Sequence, residues 1–278
     1  MTRRFQFSIF FLILLLALSS CSKPVISYHE TSKMIDPHVK WTQLLTDDFY
    51  DTSASINILD IDMKNFEGEI ELAWYPSELI ITSEIAEEYG AFAAVNGSYF
   101  DMKVGGAWVF LQADGKQVSG NKSRAPFSYN AAYALDTAGV ISIIKRPGDH
   151  WEYLSGYKHV MAAGPIMIYD NEVCEIDSVK FNLVRHPRTA VGITDDDHLI
   201  LVTVDGRQQQ APGMNIPDLC RLMQELNCSY ALNLDGGGST TMYIEGEDHL
   251  GVVNYPTDNR KFDHAGQRPV SNAIVLIK

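Results

Sequence analysis

The sequence predicts an α+β fold: one domain with a mixed, largely antiparallel β-sheet, a few helices and one βαβ unit spanning residues 199–234. Three observations predict it. Short apolar runs separated by turns rich in Gly, Asp and Pro recur from residue 53 to the C-terminus, which is a strand pattern. Only two or three stretches carry helical spacing. No internal repeat divides the chain, so strands and helices must share one layered core.

In chain order, Ser53 to Asp62 alternates through Ile56, Ile58 and Ile61 as an entering strand, with Glu69 to Trp74 as its expected hairpin partner. Ser83 to Tyr89 reads as a short helix ending at Gly90. Ala91 to Val95 is a short buried strand. Phe110 to Val118 carries the hairpin turn Asp114-Gly115, and Ala131 to Leu135 with Val140 to Ile144 forms another pair. Val160 to Tyr169 is re-aimed at Gly164-Pro165. Phe181 to Ile193 encloses Arg185-His186-Pro187-Arg188, and Leu199 to Val204 is an apolar strand ending in Asp205-Gly206-Arg207. The best helix is Ile216 to Asn227. Asn215 caps it, Pro217 suits its first turn, and Leu219, Leu222, Met223 and Leu226 form its apolar face. The strand Tyr230 to Leu234 follows, and Ala273 to Ile277 closes the chain.

The N-terminus reads as an address. Arg3 and Arg4 precede an apolar stretch, Phe5 to Leu18, that is short for a membrane span. Leu18-Ser19-Ser20-Cys21 then resembles a bacterial lipobox, in which Cys21 is the lipidated first residue of the mature chain. The expected organisation is a lipoprotein signal peptide at 1–20, a tether at 21–49 and the domain at 50–278. The chain would be anchored to a membrane through that lipid, in a bacterial cell envelope and facing the periplasm. The formal net charge of −13 argues against nucleic acid as a partner. It leaves room for an anionic substrate held by a few local arginines. The remaining cysteines, Cys174, Cys220 and Cys228, are odd in number and wrongly spaced for a disulfide framework or a zinc site. They read as buried apolar residues.

The chemistry gathers at strand ends. Leu232 to Thr241 spells Leu-Asn-Leu-Asp-Gly-Gly-Gly-Ser-Thr-Thr, which sets Asp235 beside a glycine turn whose N–H groups can form an anion nest. The bland alternative is a tight turn with Asp235 as its cap. A strand–helix–strand unit over 199–234 would bring Asp205 and Asp235 to one edge, where ligands tend to bind. Asn96-Gly97 ends a third strand. Arg188, Arg207 and Arg268 suit phosphate or carboxylate, although each alone reads as a surface ion pair. No P-loop is present, and Thr241 stands where a nucleophile elbow needs glycine. A Ser239–histidine pair with His186 or His264 is the weaker catalytic alternative. No metal or cofactor is implied.

The ordered set Asn96-Gly97-Ser98-Tyr99-Phe100, Gly164-Pro165, Pro187-Arg188-Thr189-Ala190-Val191-Gly192, Asp205-Gly206-Arg207, Asn233 to Thr240 and Arg268-Pro269-Val270-Ser271-Asn272-Ala273 resembles the phosphodiester glycosidase family. The resemblance spans about residues 50–278. It implies a hydrolase that releases a sugar, such as N-acetylglucosamine, from a sugar-1-phosphodiester at the anomeric C–O bond, here on envelope glycans or exopolysaccharide. It implies Asp235 or Asp205 as nucleophile or base. Phosphate would be held by Arg188, Arg207 or Arg268 with the N–H groups of Gly236, Gly237, Gly238 and Ser239. Asn96 and Asn233 would meet sugar hydroxyls, and Gly97, Thr189, Thr240 and Asn272 complete the expected substrate-binding set. Two rivals remain open: a non-catalytic glycan-binding envelope lipoprotein, and a hydrolase that cuts the P–O bond.

Overall fold

The computed structural model describes residues 28–278; the expected signal peptide and Cys21 lie outside the described residues. The strands begin with β1 (Tyr28–Asp36), β2 (Val39–Thr46), β3 (Ala54–Asp62), β4 (Glu69–Trp74) and β5 (Ala91–Asn96). Next come β6 (Leu111–Ala113), β7 (Lys116–Ser119), β8 (Ala131–Asp136), β9 (Ile141–Lys145) and β10 (Tyr157–Ala163). Then follow β11 (Ile166–Tyr169), β12 (Glu172–Val173), β13 (Arg188–Thr194), β14 (His198–Val204), β15 (Cys228–Asn233), β16 (Met242–Ile244) and β17 (Asn272–Ile277). The helices are α1 (Thr82–Glu88), α2 (Lys180–Leu183) and α3 (Ile216–Glu225).

Three sheets result. The largest runs β1-β2-β3-β14-β13-β15-β11-β12; the others run β7-β6-β10-β8-β9 and β16-β5-β17-β4. Every pairing between the named strands is antiparallel, so the expected mixed sheet is replaced by antiparallel ones. The expected βαβ unit is present in chain order as β14, α3 and β15, but β13 lies between its two strands and pairs with both. Since β13 is antiparallel to each, β14 and β15 still point the same way and end at one edge.

Period-two alternation explains the central layer. Leu199 and Leu201 of β14 face a core shared by all three sheets, with Val95, Leu111, Tyr133, Met161 and Ile274. Ile200, Val202 and Val204 face the other way, onto Ile216, Leu219 and Met223 of α3. A strand buried on both faces must be apolar throughout, as this one is. Asn215 caps α3 by accepting from Asp218 N–H, as the sequence predicts. The helix α1 covers the outer face of the four-stranded sheet through Ile85 and Ala86.

Three expectations are corrected. The tether expected at 21–49 contains a β-hairpin over 28–46: β1 pairs with β2, and β2 pairs along its length with β3. Its polar, exposed outer strand hides the pattern, because an edge strand needs only one buried row. The strand β4 pairs with β17, some two hundred residues away in sequence, rather than with β3. Cys174 is half-exposed, while Cys220 and Cys228 are buried as expected.

Candidate active site

Five strand ends meet at one edge of the molecule. Register places Arg188, at the start of β13, opposite Val204, at the end of β14, and Ala190 opposite Asn233 in β15. In the neighbouring sheet, Ala273 of β17 lies opposite Asn96 of β5. The turn after β15 closes the gap between the two sheets. Asp235 N–H donates to Gly97 O at 3.0 Å, and Asn96 Nδ2 donates to Asp235 O at 2.8 Å. Thr189 Oγ1 donates to Asn96 Oδ1 at 2.7 Å, so one buried asparagine joins three strand ends.

Asp235 faces a recess of about 540 Å³ that is also lined by Tyr99, Trp108, Phe127, Phe181 and Arg268. Its carboxyl is pushed up from 3.8 to about 6, chiefly by burial. Ser239, the Arg268 guanidinium, the Gly236 N–H and Arg207 pull the other way. A carboxylic acid titrating near neutrality beside cations can change protonation state during a reaction. The Tyr99 hydroxyl donates to Gly164 O at 2.7 Å, and burial holds the phenol protonated.

A second recess of about 420 Å³ adjoins the first through Arg268 and contains Arg207, Thr257, Asp258 and Arg260. Arg268 is held by Asp258, with Nε donating to Oδ1 at 2.8 Å. Arg207 is exposed with φ +61°, as is Arg260. Neither side chain has an ion-pair or hydrogen-bond partner among the described residues. Two unneutralised guanidiniums around one hollow suit an anion.

The glycine turn works differently from the expected nest. Gly236 N–H donates to Asp235 Oδ1, Gly237 N–H to Pro187 O, and Ser239 N–H to Gly236 O. Three of the four N–H groups expected to form the nest are thus bonded within the protein. The glycines are needed because the arginines pack on them. A Cβ on Gly238 would lie 2.5 Å from Arg268 Nη2, and one on Gly237 would lie 2.9 Å from Arg207 Nη2.

Further corrections concern the predicted residues. Asp205 lies beneath the cleft, buried, with Oδ2 accepting from Ser55 and Oδ1 from Asn254 Nδ2 and Tyr255 N–H. Both oxygens are spent, so Asp205 positions the segment leading to Arg260 and does not face a substrate. Arg188 is buried and donates to the carbonyls of Met214, Phe181 and Val184, under the Phe181 ring. In this structure it clamps three backbone carbonyls and lines neither hollow. Asn233 Nδ2 donates to Gly164 O and Leu234 O, and Asn272 Oδ1 accepts from Ser98 N–H. Asn96, Gly97, Thr189, Asn233, Ser239, Thr240 and Asn272 are all buried and line neither hollow. His264 bonds Asn254 O, and neither it nor His186 hydrogen-bonds Ser239. Of the predicted set, Asp235, Arg207 and Arg268 line the open hollows. Arg260 and the aromatic wall of Trp108, Phe127 and Phe181 were not among the predicted residues, and no motif in the sequence marks them. Among the described residues, no group of three or more His, Cys, Asp and Glu side chains could hold a metal.

The phosphodiester glycosidase family model matches residues 89–277. The chain belongs to the phosphodiester glycosidase family. That match covers every strand end of the site, from Asn96 to Asn272. Mouse N-acetylglucosamine-1-phosphodiester alpha-N-acetylglucosaminidase is 30% identical over 182 residues, 61% of this chain and 34% of that protein. The chain thus spans about a third of the mouse relative. The SPbeta prophage-derived uncharacterized protein YomE of Bacillus subtilis (strain 168) is 41% identical over 108 residues, 33% of this chain and 17% of that protein. In three dimensions, the zebrafish N-acetylglucosamine-1-phosphodiester alpha-N-acetylglucosaminidase catalytic domain, auto-inhibited by its pro-peptide, superposes with a TM-score of 0.64. It is 20% identical and covers 93% of this chain and 85% of the zebrafish chain, so the phosphodiester glycosidase fold is shared.

Proposed function

We propose that this phosphodiester glycosidase homologue is a hydrolase that releases a sugar from a sugar-1-phosphodiester by breaking the anomeric C–O bond. The observation that carries the reading is Asp235, a carboxyl pushed up to about 6 in an aromatic recess that adjoins an arginine-lined one through Arg268. The phosphate is a good leaving group, so little protonation is demanded. Arg207, Arg260 and Arg268 hold it and offset its growing charge as the C–O bond breaks. The bonding electrons leave on the phosphate oxygen. Asp235 stabilises the electron-poor anomeric carbon as nucleophile or as base for water. Water supplies the new hydroxyl on the sugar, and its proton passes through Asp235 to solvent. The products are a free sugar and a phosphomonoester. The mouse and zebrafish relatives bear the name of such an activity on N-acetylglucosamine, which supports that sugar here. The Arg3 to Cys21 stretch supports action at a bacterial envelope, on a surface glycan or exopolysaccharide, from a lipid anchor facing the periplasm.

The test is product analysis on a defined sugar-1-phospho-sugar diester. Free sugar plus phosphomonoester is expected, and Asp235→Asn lowers the rate by about 10²–10⁴-fold. Sugar-1-phosphate as product would assign the P–O bond instead, and binding without any product would make the protein a glycan-binding lipoprotein. Mass spectrometry of membrane-extracted protein should find acylated Cys21 at the N-terminus; a mature chain starting elsewhere would remove the anchor.

A further inference from the structure

The chain has four tryptophans. Trp41 Nε1 donates to Asn57, Trp74 Nε1 to Asp114 and Trp151 Nε1 to Tyr129 O. Trp108 is different: its indole N–H has no hydrogen-bond partner among the described residues, and it is 39% exposed. Its ring face and its N–H are therefore both open to a ligand, the N–H being met by water until one arrives.

Trp108 is nonetheless held firmly. Its backbone N–H donates to Tyr99 O, and its carbonyl accepts from Lys122 N–H, both at 2.9 Å. Phe100 and Ala107 pair as a β-bridge beside it. Gly106, at φ +73°, presses the loop against Pro76, where a Cβ would stand 2.3 Å from Pro76 O. The ring is therefore displayed from a fixed backbone, on the wall of the recess that contains Asp235. The other rings of that wall are already engaged: Phe181 stacks on Phe127 at 5.2 Å and carries the Arg188 guanidinium at 4.8 Å.

We infer that Trp108 is the platform on which the sugar ring of the substrate lies, and that it fixes the direction of binding. The sugar rests on the Trp108 side of Asp235, and the phosphate lies beyond Arg268, among Arg207 and Arg260. One face of a pyranose is a sheet of C–H bonds that suits the negative face of an indole, while the indole N–H meets a ring hydroxyl. The two recesses meet at Arg268 and Asp235 lines the first of them, so a diester spanning both passes Asp235 on the sugar side of Arg268. This inference rests on the hydrolase reading for its substrate class, but it is a statement about binding and is tested as one.

The test is a set of binding titrations in the Asp235→Asn protein, whose turnover is slowed, with N-acetylglucosamine 1-phosphate, N-acetylglucosamine and inorganic phosphate as probes. Both sugars should change the tryptophan fluorescence. Trp108→Ala should weaken both sugars by about tenfold and leave phosphate unchanged, and Trp108→Phe should recover most of the loss. Arg260→Ala should weaken phosphate and the sugar phosphate while sparing the free sugar. Unchanged sugar affinity in Trp108→Ala overturns the platform, as does an equal loss of all three probes. If wild-type protein hydrolyses no diester while the Trp108-dependent sugar binding holds, the hydrolase reading fails and the platform stands.

Discussion

Asp235 and Asp205 share a residue type, a following glycine and a position at a strand end, yet they do different work. Burial raises both from 3.8 to about 6, but Asp205 accepts three hydrogen bonds from inside the protein while Asp235 looks into the cleft. The sign of the linkage is the same for each. Stability is fully present below the unfolded value of 3.8 and is lost as pH rises through about 6, because the folded state holds the proton longer. For activity the consequence is opposite, since the role proposed for Asp235 requires its carboxylate form. The profile of kcat/KM should rise with pH to a plateau, with an apparent pKa near 6. A profile that falls through that range would give Asp235 the role of an acid and sink its role as nucleophile or base. The sequence singles out Asp235 because a carboxylate at a glycine turn after an apolar strand is a distinctive pattern, and the structure sets it in a recess with Arg268. Asn96 and Asn233 look identical in sequence whether they meet a sugar or a backbone carbonyl; here they bond backbone carbonyls.

The strand β13 shows how one element carries the site. It begins at Arg188, where Pro187 O receives Gly237 N–H, and its guanidinium gathers the carbonyls of Phe181, Val184 and Met214. Removing it leaves those acceptors unpaired in a dry interior. Arg188→Ala should therefore destabilise the protein by about 3 kcal/mol in denaturant unfolding. Arg188→Lys should recover little, because an ammonium cannot span the same fork of acceptors. An unchanged midpoint together with weakened phosphate binding would return Arg188 to the ligand set. The strands themselves were legible wherever both faces are buried, as in β14, or where the turn declares itself, as at Asp114-Gly115 with positive φ at both residues.

At the scale of the molecule, the hairpin of β1 and β2 extends the largest sheet and ties its edge to the site's rear wall. Gln43 Nε2 donates to Val253 O, next to Asn254, which holds Asp205. Trp41 bonds Asn57 in β3, and Lys33 pairs with Glu247. Starting the chain at Asp47 should expose the edge of β3, lower the melting temperature and promote aggregation, whereas starting it at Tyr28 should not. Equal melting temperatures for the two truncations would make the hairpin an appendage.

Local physics was enough for the sequence to determine the elements: alternation wrote β3, continuous apolar runs wrote β14 and β17, capping wrote α3, and the ordered strand-end motifs carried the family resemblance. Which strands pair, and which polar side chains face water, depended on contacts between segments far apart in the chain. Only the tertiary structure decided that β4 joins β17, that β13 separates β14 from β15, and that Asp205 and Arg188 turn inward while Trp108 turns outward. The reason is that pairing and burial are settled by the competition of all segments for one core, and no window along the chain contains that competition.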